Sequence, residues 1–136
     1  MATKRKAKCR MSQIAPQWLV DDVISTAEYY RDVLGFTFNN FFGNPPAFVI
    51  VSRDGVQLNF RQTKDRGNTS GTRLVADTYD AYVRVSNVES LAEDLRAKNA
   101  NIVHEPVTRI YNMRELVVRD CNGYVLCFGE DVEPAA

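Results

Sequence analysis

Few residues in this chain have types and spacing suited to chemistry. His104 is the single histidine, which rules out any site that draws several imidazoles from one chain. The three cysteines, Cys9, Cys121 and Cys127, form no CxxC pair and no His/Cys cluster. Neither structural zinc nor a disulfide framework is therefore expected, and a reducing, cytoplasmic setting is. One histidine cannot complete a dependable Ser-His-Asp or Cys-His set. What remains suits hydrogen bonding and stacking: Gln17, Asn59, Arg61, Asp80, Tyr82, Tyr111 and Cys127. Among these, Asp80 has the chemistry of a general base. Cys127 reads as a small buried filler, because nothing adjacent would lower its thiol pKa.

The elements that must position these residues follow from periodicity and turn chemistry. Residues 13–20 read as a strand, with Ile14, Trp18 and Val20 apolar at even positions. Ser25-Thr26-Ala27-Glu28 has the form of a capping box and predicts a helix start there, with Gly35 as the stop after Leu34. A strand is predicted to begin at Phe36-Thr37-Phe38, and Gly43-Asn44-Pro45-Pro46 to turn the chain. Strands over 47–52 and 56–62 flank the hairpin signal Asp54-Gly55. Residues 63–72 are a polar loop and the best linker candidate. Beyond it come a strand over 79–85 and a helix capped by Ser86 or Asn87 that runs to about Lys98. A short strand over 101–103 is ended by Pro106, and strands over 113–119 and 124–129 precede a frayed acidic tail.

The order is β-α-β-β-β twice, and the residues repeat with it. At a shift of 65, Val20, Val23, Ser25, Ala27, Glu28 and Arg31 fall on Val85, Val88, Ser90, Ala92, Glu93 and Arg96, and Asp22 on Asn87. At a shift of 68, Gly55, Leu58 and Phe60 fall on Gly123, Leu126 and Phe128. Agreement of both registers with the element order points to duplication. The predicted class is α+β: two tandem βαβββ modules, about 13–62 and 79–129, in one domain over 13–130 with a basic tail over 1–12.

Composition sets the outer limits. Apolar residues are 45% and charged residues 25% of 136, the balance of a folded water-facing domain. No stretch approaches the roughly 18 apolar residues of a membrane span, and the basic start has no apolar run behind it, so no secretory signal is expected. Lys4, Arg5, Lys6, Lys8 and Arg10 precede a body with 17 acids against 12 Lys and Arg. That acidic body, and a tail without stacking aromatics, argue against nucleic acid.

Val20-Asp21-Asp22-Val23, followed by Glu28-Tyr29-Tyr30-Arg31-Asp32-Val33-Leu34-Gly35-Phe36, closely resembles the first module of the vicinal oxygen chelate superfamily, also called the glyoxalase, bleomycin-resistance and dioxygenase superfamily. Met113 to Asp120 leading into Asn122-Gly123 is similar to its second module. The resemblance spans about residues 13–130. It implies a mixed sheet curled into a cup-shaped pocket, with each module forming half. Metal-dependent members place ligands on the first and last strand of each module, and those positions here are Ala15, Asn59, Asp80 and Cys127. Such a set is poor for a divalent ion, because one position is a methyl group and another a neutral amide. The metal-free bleomycin-resistance branch is the closest likeness, and its groove stacks ligands on aromatic side chains. Tyr82 falls on one such position, and at another Asn112 stands with Tyr111 beside it.

The resemblance thus implies a metal-free, cofactor-free small-molecule-binding homodimer that sequesters a drug or metabolite, with no nucleic-acid or membrane partner. The alternative is a lyase, isomerase or dioxygenase with an atypical or absent metal site. If Ala15 faces the pocket, strand alternation turns Gln17, Asn59, Arg61, Asp80, Tyr82 and Cys127 the same way and leaves Trp18, Val20, Leu126 and Phe128 to the helices.

Overall fold

The computed structural model describes residues 7–66 and 78–133. Its elements in chain order are β1 (Gln17–Val20), α1 (Val23–Asp32), β2 (Phe41–Phe42), β3 (Phe48–Arg53), β4 (Val56–Gln62), β5 (Ala81–Arg84), α2 (Val88–Ala97), β6 (Asn101–Thr108), β7 (Met113–Arg119) and β8 (Val125–Asp131). This is the α+β class with the βαβββ unit twice. The strands form two four-stranded mixed sheets, β1-β4-β3-β2 and β5-β8-β7-β6, and neither closes. In each module the first strand runs parallel to the last, while the remaining pairs are antiparallel.

Several boundaries depart from expectation for physical reasons. The first helix starts at Val23, not at Ser25, because Asp22 is the N-cap: its carboxylate accepts from the Ile24 and Ser25 amides at 2.9 and 3.2 Å. Ser25 and Thr26 turn their hydroxyls back to the Asp22 carbonyl, so the Ser-Thr pair lies inside the first turn. Thr37 makes one isolated bridge to Ser52, and the paired strand comes later, at Phe41–Phe42. Pro106 does not end its strand. β6 is an edge strand whose pairing with β7 shifts register between His104 and Val107, and an irregular edge tolerates a residue with no N–H. β1 is shorter than predicted and β8 continues to Asp131. The tail over residues 1–6, most of the linker and residues 134–136 lie outside the described residues.

A shared device secures both helix starts. The last strand of each module sends a side chain to the first free amide of its helix: Gln62 Oε1 accepts from Val23 N, and Glu130 Oε1 from Val88 N, each at 2.9 Å. Gln62 and Glu130 are 68 apart, the register of the repeat. Asn87 caps α2 from a left-handed backbone, φ +57.

The core lies where both sheets turn one face toward the helices. Val20, Tyr30, Leu58 and Phe60 of the first module form one continuous cluster with Leu116, Val118, Tyr124 and Leu126 of the second. The junction between α1 and the β7–β8 turn is filled and pinned. The Tyr30 hydroxyl donates to Asp120 Oδ2 at 2.6 Å with both residues buried, and Asn122 Nδ2 donates to Thr26 Oγ1 at 3.0 Å. Trp18 stacks on Tyr124 at 4.5 Å, and the Tyr124 hydroxyl donates to the Leu19 carbonyl. The repeat-related junction, α2 against the β3–β4 turn, has Leu95 where α1 has Tyr30 and Val56 where the other turn has Tyr124. With these smaller side chains, a cavity of about 800 Å³ remains there, reaching Leu34, Phe36, Val56, Leu91 and Leu95.

Burial pushes the Asp120 carboxyl above its ordinary range, against the pull of Tyr30 and of the Asn122 and Tyr124 amides that donate to it. A carboxyl raised in the native state contributes stability that is fully present below its ordinary value and is lost as pH rises through the native one. Removing the hydroxyl with Tyr30→Phe leaves a buried carboxylate oxygen short of a donor and is expected to cost about 2 kcal/mol at neutral pH, read from urea midpoints. The wild type's advantage over Asp120→Asn should grow as pH falls from 7 toward 4, and a constant difference would contradict this assignment.

Candidate functional site

Opposite the helices, each sheet has an open face, and pairing register determines what lies on it. In the first sheet Gln17 pairs with Asn59, Leu19 with Arg61, and Asn59 with Ile50. In the second, Tyr82 pairs with Cys127, and Cys127 with Val117. Paired residues share a face, so the first open face carries Gln17, Asn59 and Arg61 and the second carries Tyr82 and Cys127. Val117, Val125, Cys127 and Tyr79 pack together there, separate from the main core.

The first face is an amide ladder. Gln57 Nε2 donates to Asn59 Oδ1 at 3.1 Å, and Gln13 Nε2 donates to Gln57 Oε1 at 3.2 Å. Asn59 is buried, while Gln17 and Arg61 are exposed. The face also bears the half-exposed ring of Phe42, which pairs with Phe48.

The second face is built around a residue absent from the sequence-derived site, Glu115. It is 2% exposed. The Tyr82 hydroxyl donates to its Oε2 at 2.8 Å, and the Tyr111 hydroxyl lies 2.8 and 2.9 Å from its two oxygens. Arg109 Nε stands 3.8 Å from Oε1. The two tyrosines are themselves 42% and 52% exposed, so their rings face solvent while their hydroxyl ends point inward. Tyr111 has the same parity as Met113, Glu115 and Val117, although it is not in the strand. It sits in the turn before β7, where Asn112 adopts φ +61 and redirects the chain. The one sequence signal for Glu115 was a lone acid in an otherwise apolar alternation, Met113, Glu115, Val117.

Burial, and then the hydrogen bond to Glu115, raise the pKa of Tyr82 and Tyr111. Burial, followed by the nearby Glu115 charge, pushes the Cys127 thiol up to about 12. At neutral pH Cys127 is a neutral thiol, with neither the charge of a metal ligand nor the reactivity of a nucleophile. Asp80 is turned toward the backbone, its Oδ2 accepting from Val125 N at 2.8 Å at the start of β8. Of the four positions that the family's metal-dependent members use, Ala15 has no donor, Asn59 Oδ1 is engaged by Gln57, Asp80 is engaged by the β8 backbone, and Cys127 is protonated. This donor set does not fit a divalent cation. Among the described residues, no three His, Cys, Asp or Glu side chains form a group able to hold one.

The structure thus brings Tyr82, Tyr111 and Cys127 together around Glu115 on one sheet, and Gln17, Asn59 and Arg61 onto the other. Asp80 is half-buried at the edge of the second group. None of the seven lines the 800 Å³ cavity.

Solved structures share this fold. TioX from Micromonospora sp. ML1 is 19% identical with a TM-score of 0.71, over 90% of this chain and 100% of that one. A glyoxalase-related enzyme from Clostridium phytofermentans is 11% identical with a TM-score of 0.72, over 91% and 98%. A bleomycin-binding protein in complex with bleomycin is 18% identical with a TM-score of 0.68, over 88% and 98%. No curated protein matches the sequence. A family model matches residues 11–128, and through it the chain belongs to the Glyoxalase/Bleomycin resistance protein/Dioxygenase superfamily.

Proposed function

We propose that the protein binds a small organic molecule on the open faces of its sheets, without a catalytic metal, and that it does so as a cytoplasmic homodimer. The carrying observation is the contrast at the four strand positions and beside them. The potential ligand atoms are missing, engaged or protonated, while Tyr82 and Tyr111 present their rings to solvent. Side chains that cannot assemble a Lewis acid but offer amides, an arginine and aromatic surface are suited to holding a ligand rather than transforming it. Gln17, Asn59, Arg61, Asp80, Tyr82, Tyr111 and Cys127 are the residues assigned to this role. A protein of the same fold is known with bleomycin bound, which supports a drug or metabolite as the class of ligand.

The dimer rests on what one chain leaves uncovered. Phe42, Tyr82, Val107 and Tyr111 are exposed, and β2 and β6 are free edges of their sheets. A second copy that brings one open face against the other would enclose both. The free cysteines Cys9, Cys121 and Cys127 fit a reducing cytoplasm, and no helix among the described residues is long and apolar enough to cross a membrane.

Two measurements test this reading. Protein purified without chelator should carry no stoichiometric metal, and its melting midpoint should respond to a member of a panel of antibiotics, bleomycin included, and metabolites but not to zinc, nickel, manganese or iron. A bound ion that is lost on Asp80→Ala or Cys127→Ser would overturn it. Light scattering should return twice the chain mass at micromolar protein, and a persistent monomer would remove the dimer.

A further inference from the structure

Glu115 is a charged side chain buried in a strand, and nothing in the main core requires it there. By pairing register its counterpart in the first module is Phe48, the first residue of β3. Both its oxygens are taken by the hydroxyls of tyrosines whose rings are half-exposed, Tyr82 also tilted against Tyr79 at 6.3 Å. The neighbouring backbone accommodates this arrangement. Gly129 pairs with Glu115 across β7 and β8 and with Arg84 across β5 and β8. A Cβ added at Gly129 would stand 2.0 Å from the Tyr82 hydroxyl and 2.5 Å from its Cζ. Gly129 has no positive φ, so the backbone does not demand a glycine. What demands it is the space through which Tyr82 lies across β8 to reach Glu115.

We propose that Glu115 is a positioning residue that sets Tyr82 and Tyr111 as one aromatic wall and thereby selects the ligand class of this face: a planar organic molecule carrying N–H or O–H donors or a positive charge. This rests on the small-molecule reading above and adds the residue that confers selectivity. The chemistry follows from where the protons go. Each tyrosine hydroxyl donates its hydrogen to the carboxylate, so toward a ligand the phenol oxygens present only lone pairs, those of Tyr111 shared with Arg109. Phenols that donate to a carboxylate also hold negative charge close behind their rings, which favours a cation over an anion at the face. Arg109, at 3.8 Å from Oε1 and hydrogen-bonded to the Tyr111 hydroxyl, offsets part of that charge but leaves both carboxylate oxygens to the hydroxyls. Anchoring two half-exposed rings beforehand removes the ordering that stacking would otherwise require of the ligand.

The test uses full-length protein and two dyes of opposite charge, the planar cation thioflavin T and the anion anilinonaphthalene sulfonate. Wild type should bind the cation saturably and discriminate against the anion. Glu115→Gln keeps the shape but can accept from one hydroxyl fewer, and should weaken the cation by about tenfold. Gly129→Ala leaves Glu115 untouched but evicts Tyr82, and should produce a loss of similar size. In the background of Tyr82→Phe with Tyr111→Phe, adding Glu115→Gln should change nothing further, because the residues act as a unit. A merely structural glutamate would instead show an additive loss that follows the melting midpoint.

A phenolate absorbance titration reads the positioning without any ligand. Two of the six tyrosines should ionise at lower pH in Glu115→Gln than in wild type. Unchanged tyrosine titration overturns the positioning role whatever the dyes do. A wild type that prefers the anion, or binds neither dye, overturns the ligand class. Failure of the small-molecule reading itself would be seen separately, as no response to any compound in the melting panel.

Discussion

The contact between Tyr30 and Asp120 sets the relation of the two halves of this molecule. It joins a helix of the first module to a turn of the second, ninety positions apart in sequence. A carboxylate brought this far from water is unfavourable unless every lone pair has a donor. Asp120 therefore also collects the Asn122 and Tyr124 amides, which tightens its own turn and presents Tyr124 to Trp18. Tyr124 then reaches back to the Leu19 carbonyl on β1. The chain of contacts runs from α1, through the β7–β8 turn, to the first strand, and it fixes which faces of the sheets are buried together. The open faces, where the chemistry lies, are what this packing leaves over.

Duplication explains the frame, and divergence explains the site. Both modules retain the last-strand side chain that caps the helix, the glycine of the final hairpin, and the Leu and Phe that pack the last strand onto its helix. These positions solve problems common to the two copies. On the open faces the copies have parted. One holds amides linked side by side, Gln13 to Gln57 to Asn59, and the other a carboxylate between two phenols. Copies related by descent now offer a polar surface of amides with an arginine at its margin and an aromatic one with a carboxylate beneath it.

Much of this was legible in the sequence. Periodicity, Asp54-Gly55 and the doubled register located both modules and the alternation that turns Val20, Leu126 and Phe128 inward to the helices and Cys127 away from them. The misses have local causes. Asp22 outcompeted the Ser25 box as a cap because a carboxylate one turn earlier reaches two amides. In sequence Pro106 reads as a stop, although an edge strand with a shifted register can carry it. Glu115 is hard to read from the sequence because its partners arrive from elsewhere: Tyr82 crosses from a strand two positions away in the sheet, and Tyr111 enters from the turn before β7, beside the left-handed Asn112. Single-strand patterns do not report side chains that meet only after the sheet is assembled.

The two junctions between modules, related by the repeat, are unequal in a way that bears on motion. On one side two tyrosines, an aspartate and an asparagine interlock α1 with the β7–β8 turn. On the other, Leu95 and Val56 leave a gap of about 800 Å³ between α2 and the β3–β4 turn. The Leu95 side, with less packing to lose, is therefore expected to open to solvent at a lower free-energy cost than the Tyr30 side. Water enters first beside Leu91 and Leu95, and the amides of α2 will exchange their hydrogens ahead of those of α1, so that the molecule has a direction of opening although its halves share one topology.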